Sequence, residues 1–244
     1  MKTGSGAFLR KPEDAERLAA LMVTTAEAAG TRAVALMTDM SQPLGRCAGN
    51  WIELAESVEL LRGVRPAGSE ALREPSLILA GWMIFLGGQA ATPEMGYARA
   101  EAALDDGSAL SVFLAMAAAQ GGDISVFDNP AAFHKPGAIL VLKSWDSGFI
   151  SEMDTTKIGW AVQRTGAGRE NSGVPGDTGF PASDFCSQGW GDRSSSLGWQ
   201  AGEPVDPHAG IEFHLRCGAR VEKGQPIATL YATDESMLAE PVEL

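Results

Sequence analysis

The sequence predicts an α/β protein in two parts, and three observations carry that expectation. An apolar run, residues 32–37, ends in a polar loop with Pro43, Gly45 and Gly49 that leads into an amphipathic helix. Strand, loop and helix in that order are the unit of an open α/β sheet, whose ligands lie in the loops at the carboxyl ends of the strands. From Asn50 to Ala119 apolar residues recur at helical spacing between short turns, and beyond Gly137 the period drops to two while glycine turns multiply. A helical layer followed by a smaller part rich in strands is the simplest architecture with those periods.

Taken in order, residues 2–8 read KTGSGAF and begin as a loop, without the Gly-Lys-Ser/Thr of a nucleotide-binding P-loop. Pro12, Glu13 and Asp14 open a helix, proline suiting the first turn and acids the helix dipole. Leu18, Leu21 and Met22 recur on one face of it, Gly30 closes it, and residues 32–38 form a strand. The stretch Thr38 to Glu56, TDMSQPLGRCAGNWIELAE, is a long loop and then a helix opened by Asn50, with Glu53 as its capping-box partner. By pattern alone it is one strand-to-helix connection among several. Trp51, Leu54, Ala55, Val58 and Leu61 form its apolar face, and Gly63 ends it.

Pro75 starts another helix bearing Leu77, Leu79, Trp82, Met83 and Leu86; Trp82, Met83 and Phe85 are expected in the core rather than around a cofactor. Thr92-Pro93-Glu94 caps a third helix, which runs to Leu104 and stops at Gly107. Residues 109–119 form a fourth, ended by Gly121-Gly122. Strands are expected at 138–142 and, after the turn Trp145-Asp146-Ser147, at 148–153; residues 158–162 continue the pattern up to the glycine turn 166–169. After residues 209–215, the G-x-x-V-x-x-G-x-x-I pattern from Gly218 alternates strand residues with tight turns, as in the barrel-sandwich folds of biotinyl and lipoyl domains. Such carriers need an exposed lysine at a hairpin tip. The equivalent hairpin has none, which disfavours a carrier role.

The 244 residues can bury a sizeable core, and with 20% charged and 45% hydrophobic residues the composition is that of an ordinary globular protein. A formal net charge of -12 argues against a general nucleic-acid binder, which needs a basic surface to displace phosphate counterions. Cys47, Cys186 and Cys217 are odd in number and in no metal-like pattern, which fits a reducing cytoplasm better than a disulfide framework. The amino terminus lacks a signal-peptide core, and the longest apolar run, 77–86, falls short of the roughly 20 residues a membrane span needs. A cytoplasmic chain without membrane or nucleic-acid partners is expected.

Several motifs stand in order from Lys2 to about Glu240: KTGSGAF, TDMSQPLG with GN and its helix, LDDGSAL to AAQGGD, DSGFISEMD, GAGRE, and VDPHAGI leading to GARVEKGQPIATLYATDE. This series resembles the pyrimidine-nucleoside phosphorylases, the thymidine phosphorylase family. The resemblance implies a pentosyltransferase in which phosphate, the co-substrate, attacks the anomeric carbon of a pyrimidine nucleoside and releases base and pentose 1-phosphate. In the family KTGSGAF follows a buried strand, so with the helix and the strand at 32–38 it implies a βαβ unit and a parallel sheet. The fold expected is a partial parallel or mixed sheet with a helical layer, residues 1–125, then a small barrel-sandwich-like α+β carboxyl-terminal domain, residues 137–244.

The family's phosphate loop and base-reading residues lie before the point matching Lys2, so the resemblance implies a chain that lacks them and has little activity alone. No motif position licenses a catalytic or substrate-binding role for Lys2, Asp39 or His134. One site does fall within the chain: potassium or a similar monovalent cation, held through the carbonyls of Leu44 and Cys47 and the carboxylate of Glu56. Hard cations take oxygen donors, and a carbonyl donor tolerates Cys47. Its other ligands lie in the absent half, so the site is a half-site. Without the resemblance Glu56 reads as a solvated helix acid. Residues 171–202, rich in Gly, Ser, Pro and Asp, interrupt the family pattern as an expected flexible insert, either a lid or a gene-model artefact. The family's homodimer is left open for this chain, and a non-catalytic, partner-binding remnant is the alternative function.

Overall fold

The computed structural model describes residues 1–168 and 205–243. The insert expected at 171–202 lies outside them, as do Cys186, the Arg169-Glu170 end of GAGRE and Glu203. The chain opens with β1 (Lys2–Thr3), α1 (Pro12–Ala28) and β2 (Thr38–Asp39), and β1 pairs with β2 in parallel, Lys2 opposite Thr38. A strand, a helix and a parallel strand are thus present, but the second strand is two residues long rather than seven. Residues 31–37 lead to it outside any strand ladder, held by the Met1 amino group, which donates to the Leu36 carbonyl at 2.6 Å, and by the Arg32 guanidinium, which donates to the Leu86 carbonyl.

Next come β3 (Cys47–Gly49), α2 (Asn50–Leu61), α3 (Glu70–Leu86), α4 (Pro93–Asp105), α5 (Ser108–Ala119) and the short α6 (Pro130–Phe133). Pro93 in the first turn and the Thr92 hydroxyl, which accepts from the Met95 amide, fix the start of α4 as its sequence predicts. In contrast, α3 begins five residues before Pro75, which sits inside the helix. Losing one backbone hydrogen bond there is offset by Leu72, which joins Leu60, Leu77, Ala100 and Leu104 in a core between α2, α3 and α4. The Trp82, Met83 and Phe85 stripe departs from expectation: Met83 is 72% exposed, and Phe85 lies half-buried under the Arg32 guanidinium. The helix buries the face carrying Leu77 and Gly81 instead, and Gly81 is required there because a Cβ would stand 2.7 Å from the Tyr97 amide of α4.

The remaining elements are β4 (Ala138–Lys143), β5 (Gly148–Phe149), α7 (Thr155–Val162), β6 (Gly210–Phe213), β7 (Arg220–Val221), β8 (Pro226–Ala232) and α8 (Ala239–Glu243). Residues 158–162 are helical, not a strand, because Asp154 accepts from the amides of Thr156 and Lys157 and nucleates a turn. An antiparallel sheet runs β3-β6-β8-β4, and β5 pairs with β7. With the parallel β1–β2 pair this makes an α/β protein with mixed sheets. Lys223 lies exposed on the turn before β8, but β7 pairs with β5 and not with β8, so that turn is no hairpin tip.

Strand β3 comes from the long loop near the start of the chain yet forms the edge of the sheet built from its end, Cys47 facing Glu212 and Gly49 facing Gly210. Helix α2 follows at once. Its Trp51 stacks on Phe127 with ring centroids 5.8 Å apart, while its amide donates to the Pro207 carbonyl at 2.9 Å. One core gathers around Trp51, Ile52 and Val58, and another around Ile211, Leu230 and Ala232. Among the described residues no single helix is long and apolar enough to cross a membrane.

Candidate functional site

Three of the sequence motifs meet at one junction. Gly4 has φ +104 and lies where any side chain would strike the Ser41 hydroxyl and the Asp39 carboxylate, so KTGSGAF can fold against TDMSQPLG only with glycine there. The Gly6 amide donates to the Met40 carbonyl at 3.2 Å. At the start of α7, the Thr155 hydroxyl donates to the same carbonyl at 2.8 Å and the Thr156 hydroxyl to the Ser5 carbonyl at 2.7 Å. Residues 3–6, 38–41 and 154–156 therefore hold one another, across more than a hundred positions of sequence, through hydroxyls and main chain.

One turn further on, the loop is held by charge. Glu56 is only 5% exposed on α2. Its carboxylate accepts from the amides of Arg46 at 2.8 Å and Cys47 at 3.2 Å, with the Arg46 guanidinium 3.5 Å away. Gly45 packs against that carboxylate, leaving no room for a side chain. Arg46 also bridges Glu59 at 3.1 Å and Glu212 of β6 at 3.6 Å. The first helical turn differs from expectation. The expected capping box does not form: Gly49 caps α2 and has no side chain to contribute, the Glu53 carboxylate accepts the Gly49 amide at 3.2 Å from four residues on, and the Asn50 side chain donates to the Ala167 carbonyl.

A second guanidinium, that of Arg216 between β6 and β7, donates to three consecutive carbonyls: Pro43 at 2.6 Å, Leu44 at 3.3 Å and Gly45 at 3.1 Å. The neighbouring Cys217 amide donates to the Gln42 side chain at 3.3 Å. The structure thus brings Leu44, Cys47 and Glu56 together on one loop and helix, with two arginines among them. As they stand, these residues do not fit a bound potassium ion. The Leu44 carbonyl already receives a guanidinium and both Glu56 oxygens receive amides, so the donors expected for the ion are engaged within the chain. Among the described residues no group of three or more His, Cys, Asp or Glu side chains is placed to hold a metal.

Arg216, Glu59 and Glu212 carry no sequence signal as site residues. Arg46 could have been suspected from its place beside Cys47, but Arg216 grips carbonyls, which no side-chain pattern betrays. Lys2 is exposed on β1, Asp39 accepts the Ser41 amide at 2.9 Å, and the His134 ring pairs with the His208 carbonyl at 2.8 Å and packs edge-on against Tyr231. A cavity of about 280 Å³ opens between α7 and the sheet. Leu142, Ile158, Phe213 and Leu230 line it, with Glu152 and Lys157 at its edge, and its mainly apolar wall offers little to an anion.

Cys47 is half-buried on β3. Burial, and then the carboxylates of Glu56 and Glu212, push its thiol well above the usual range against the opposing pull of Arg46. The folded chain therefore holds this proton more tightly than the unfolded chain. The associated stability is complete below the unfolded thiol value of about 8.5 and is lost as pH rises beyond it. Burial and Glu212 act in the same direction on Tyr231, whose hydroxyl donates to that carboxylate at 3.0 Å. We expect the melting temperature to fall steadily above about pH 9, and iodoacetamide at about pH 8.5 to leave Cys47 unmodified until urea unfolds the chain. Peptide mass spectrometry reads the second outcome; rapid alkylation in the folded state would contradict it.

Residues 1–110 match the family model described as the glycosyl transferase family a/b domain, and residues 191–244 that of the pyrimidine nucleoside phosphorylase C-terminal domain. The chain is similar to pyrimidine-nucleoside phosphorylases of Geobacillus stearothermophilus, Bacillus subtilis (strain 168) and Staphylococcus haemolyticus (strain JCSC1435), each 32% identical over 237 residues. The matches take in 97% of this chain and 47% of each relative, so the chain spans about half the length of the curated relatives it matches.

Proposed function

The chain belongs to the pyrimidine-nucleoside phosphorylase family, and from that premise we propose that it serves in phosphorolysis of a pyrimidine nucleoside. Phosphate attacks the anomeric carbon, the bond from that carbon to the base nitrogen breaks, and base and pentose 1-phosphate separate. Charge develops on the leaving base and on the sugar, so positioning and electrostatics supply most of the catalysis. The observation that carries this reading is the 32% identity over 97% of the chain.

Within that reaction the described residues act as a frame. The junction of Ser5, Met40 and Thr155 and the Glu56 anchor set the course of the loop at 38–49, and we assign no described side chain to substrate. We read residues 1–125 as the glycosyl-transferase-type part and 137–244 as the carboxyl-terminal domain, its sheet and the β5–β7 ribbon forming a barrel-sandwich-like lobe. A cytoplasmic setting belongs to the same proposal. So does a further sheet packed on α1, whose Leu21 and Met22 stand 63% and 58% exposed beside the two-stranded β1–β2 pair.

Phosphate-dependent release of thymine from thymidine and of uracil from uridine, followed by chromatography, tests the reading. These 244 residues are expected to release little base alone and to gain activity when the amino-terminal half of a relative is added. Silence under both conditions would favour a non-catalytic, partner-binding role.

A further inference from the structure

We propose that Arg216 is the resident cation of the loop at 43–47, so that this loop needs no potassium ion to hold its shape. The inference stands on the contacts of that loop and not on the phosphorolysis reading. A carbonyl oxygen attracts any positive group that reaches it, and a planar guanidinium with five donors can serve several oxygens at once. Arg216 serves three in a row, Pro43, Leu44 and Gly45, at 2.6 to 3.3 Å. Three carbonyl oxygens gathered at one guanidinium repel one another, and the positive charge among them offsets that repulsion.

The charge around the loop agrees. Glu56, Glu59 and Glu212 all lie within 3.6 Å of the Arg46 guanidinium, so one cation alone would face three carboxylates. Arg216 brings a second, and the two arginine stems pass beside the same glycine: a Cβ on Gly68 would lie 3.7 Å from Arg216 Cδ and 3.9 Å from Arg46 Cγ. The backbone on either side of Arg216 is fixed, since the His214 amide before it donates to the Ile227 carbonyl at 2.9 Å and the Ala219 amide after it donates to the Arg216 carbonyl at 3.0 Å. With that backbone already ordered by the fold, only the side-chain torsions of Arg216 have to be fixed when it reaches the carbonyls. Potassium would have to displace a covalently tethered charge from the Leu44 oxygen.

The test is thermal melting of the full chain in potassium chloride against choline chloride, both at an ionic strength of about 0.15 M. An ion that binds the folded state alone raises the midpoint, by roughly 5–10 °C when present at about a hundred times its dissociation constant. For the unaltered chain we expect midpoints within about 2 °C of each other. For Arg216→Ala we expect a lower midpoint in choline chloride and a partial recovery in potassium chloride, because the ion then finds the carbonyls open. A potassium-specific rise in the unaltered chain would overturn the proposal, as would an Arg216→Ala chain that melts identically in both salts. Should Arg216→Ala fail to fold, the unaltered chain decides the matter by itself. Melting reports nothing about base release, so failure here and failure of the phosphorolysis reading are separate results.

Discussion

Replacing Glu56 with alanine is expected to remove about 3–5 kcal/mol of folding stability, the usual consequence of deleting one partner of a buried charge pair. For a chain of this size that lowers the melting midpoint by about 10 °C. Two amides lose their acceptor together, those of Arg46 and Cys47 at 2.8 and 3.2 Å, and the Arg46 guanidinium loses the buried one of its ion-pair partners at 3.5 Å. Water cannot readily replace the carboxylate, since Glu56 is 5% exposed and Gly45 packs directly against it. Glu56→Gln keeps one carbonyl acceptor but points an NH2 at the other amide, at a cost of about 1–3 kcal/mol. Glu59 holds the same arginine at 3.1 Å from a side chain 44% exposed, so Glu59→Ala is expected to cost no more than about 1 kcal/mol. Urea melts of the three variants rank them. If Glu56→Ala proves no worse than Glu59→Ala, the carboxylate is not the anchor of the loop.

That anchor was only half legible in the sequence. Glu56 stands three residues after Glu53 on an amphipathic helix, and nothing local distinguishes it from a solvated acid; the resemblance singled it out, and its burial emerged only with the fold. The helices were legible where their ends carry their own chemistry, as with Pro12 and Gly30 around α1 or Thr92 and Pro93 before α4. Where a local sign competed with packing it misled. Pro75 reads as a helix start, but Leu72 had a core to join one turn earlier. The alternation of Ile158, Trp160 and Val162 reads as a strand, but the Asp154 cap decided for a helix. Strand length escaped in the opposite way: residues 32–37 are apolar enough for a strand, but a strand needs a neighbour, and only Thr38–Asp39 finds one in β1. Arg216 lay furthest out of reach, because its partners are main-chain oxygens some 171 to 173 positions away.

Gly210→Ala is expected to cost about 3 kcal/mol or more and to release β3 from the sheet, for two additive reasons. The residue has φ +153, a region that strains any L side chain by roughly 1–3 kcal/mol. Its Cβ would also stand 2.6 Å from the Ala48 carbonyl and 2.8 Å from Ile52 Cδ1, and overpacking of that kind adds roughly 1–3 kcal/mol. Across the ladder Gly49, at φ +152, is its register partner, and a Cβ there would meet the Ala209 carbonyl at 2.6 Å. The two glycines let the backbones of β3 and β6 approach where the chain turns into α2, which no larger residue allows. Gly218→Ala separates the two causes, because Gly218 has φ +86 but nothing within 4 Å of a Cβ; it should cost only the strain, about 1 kcal/mol. The sharper readout is local. Cys47 opens β3 opposite Glu212, so detaching that strand exposes its thiol, and Gly210→Ala should make Cys47 alkylate in a chain whose circular dichroism still reports folded helices. Were Gly210→Ala to match Gly218→Ala in urea and leave Cys47 protected, the pairing of β3 with β6 would not depend on the glycine pair, and the loop would owe its position to Glu56 and the two arginines alone.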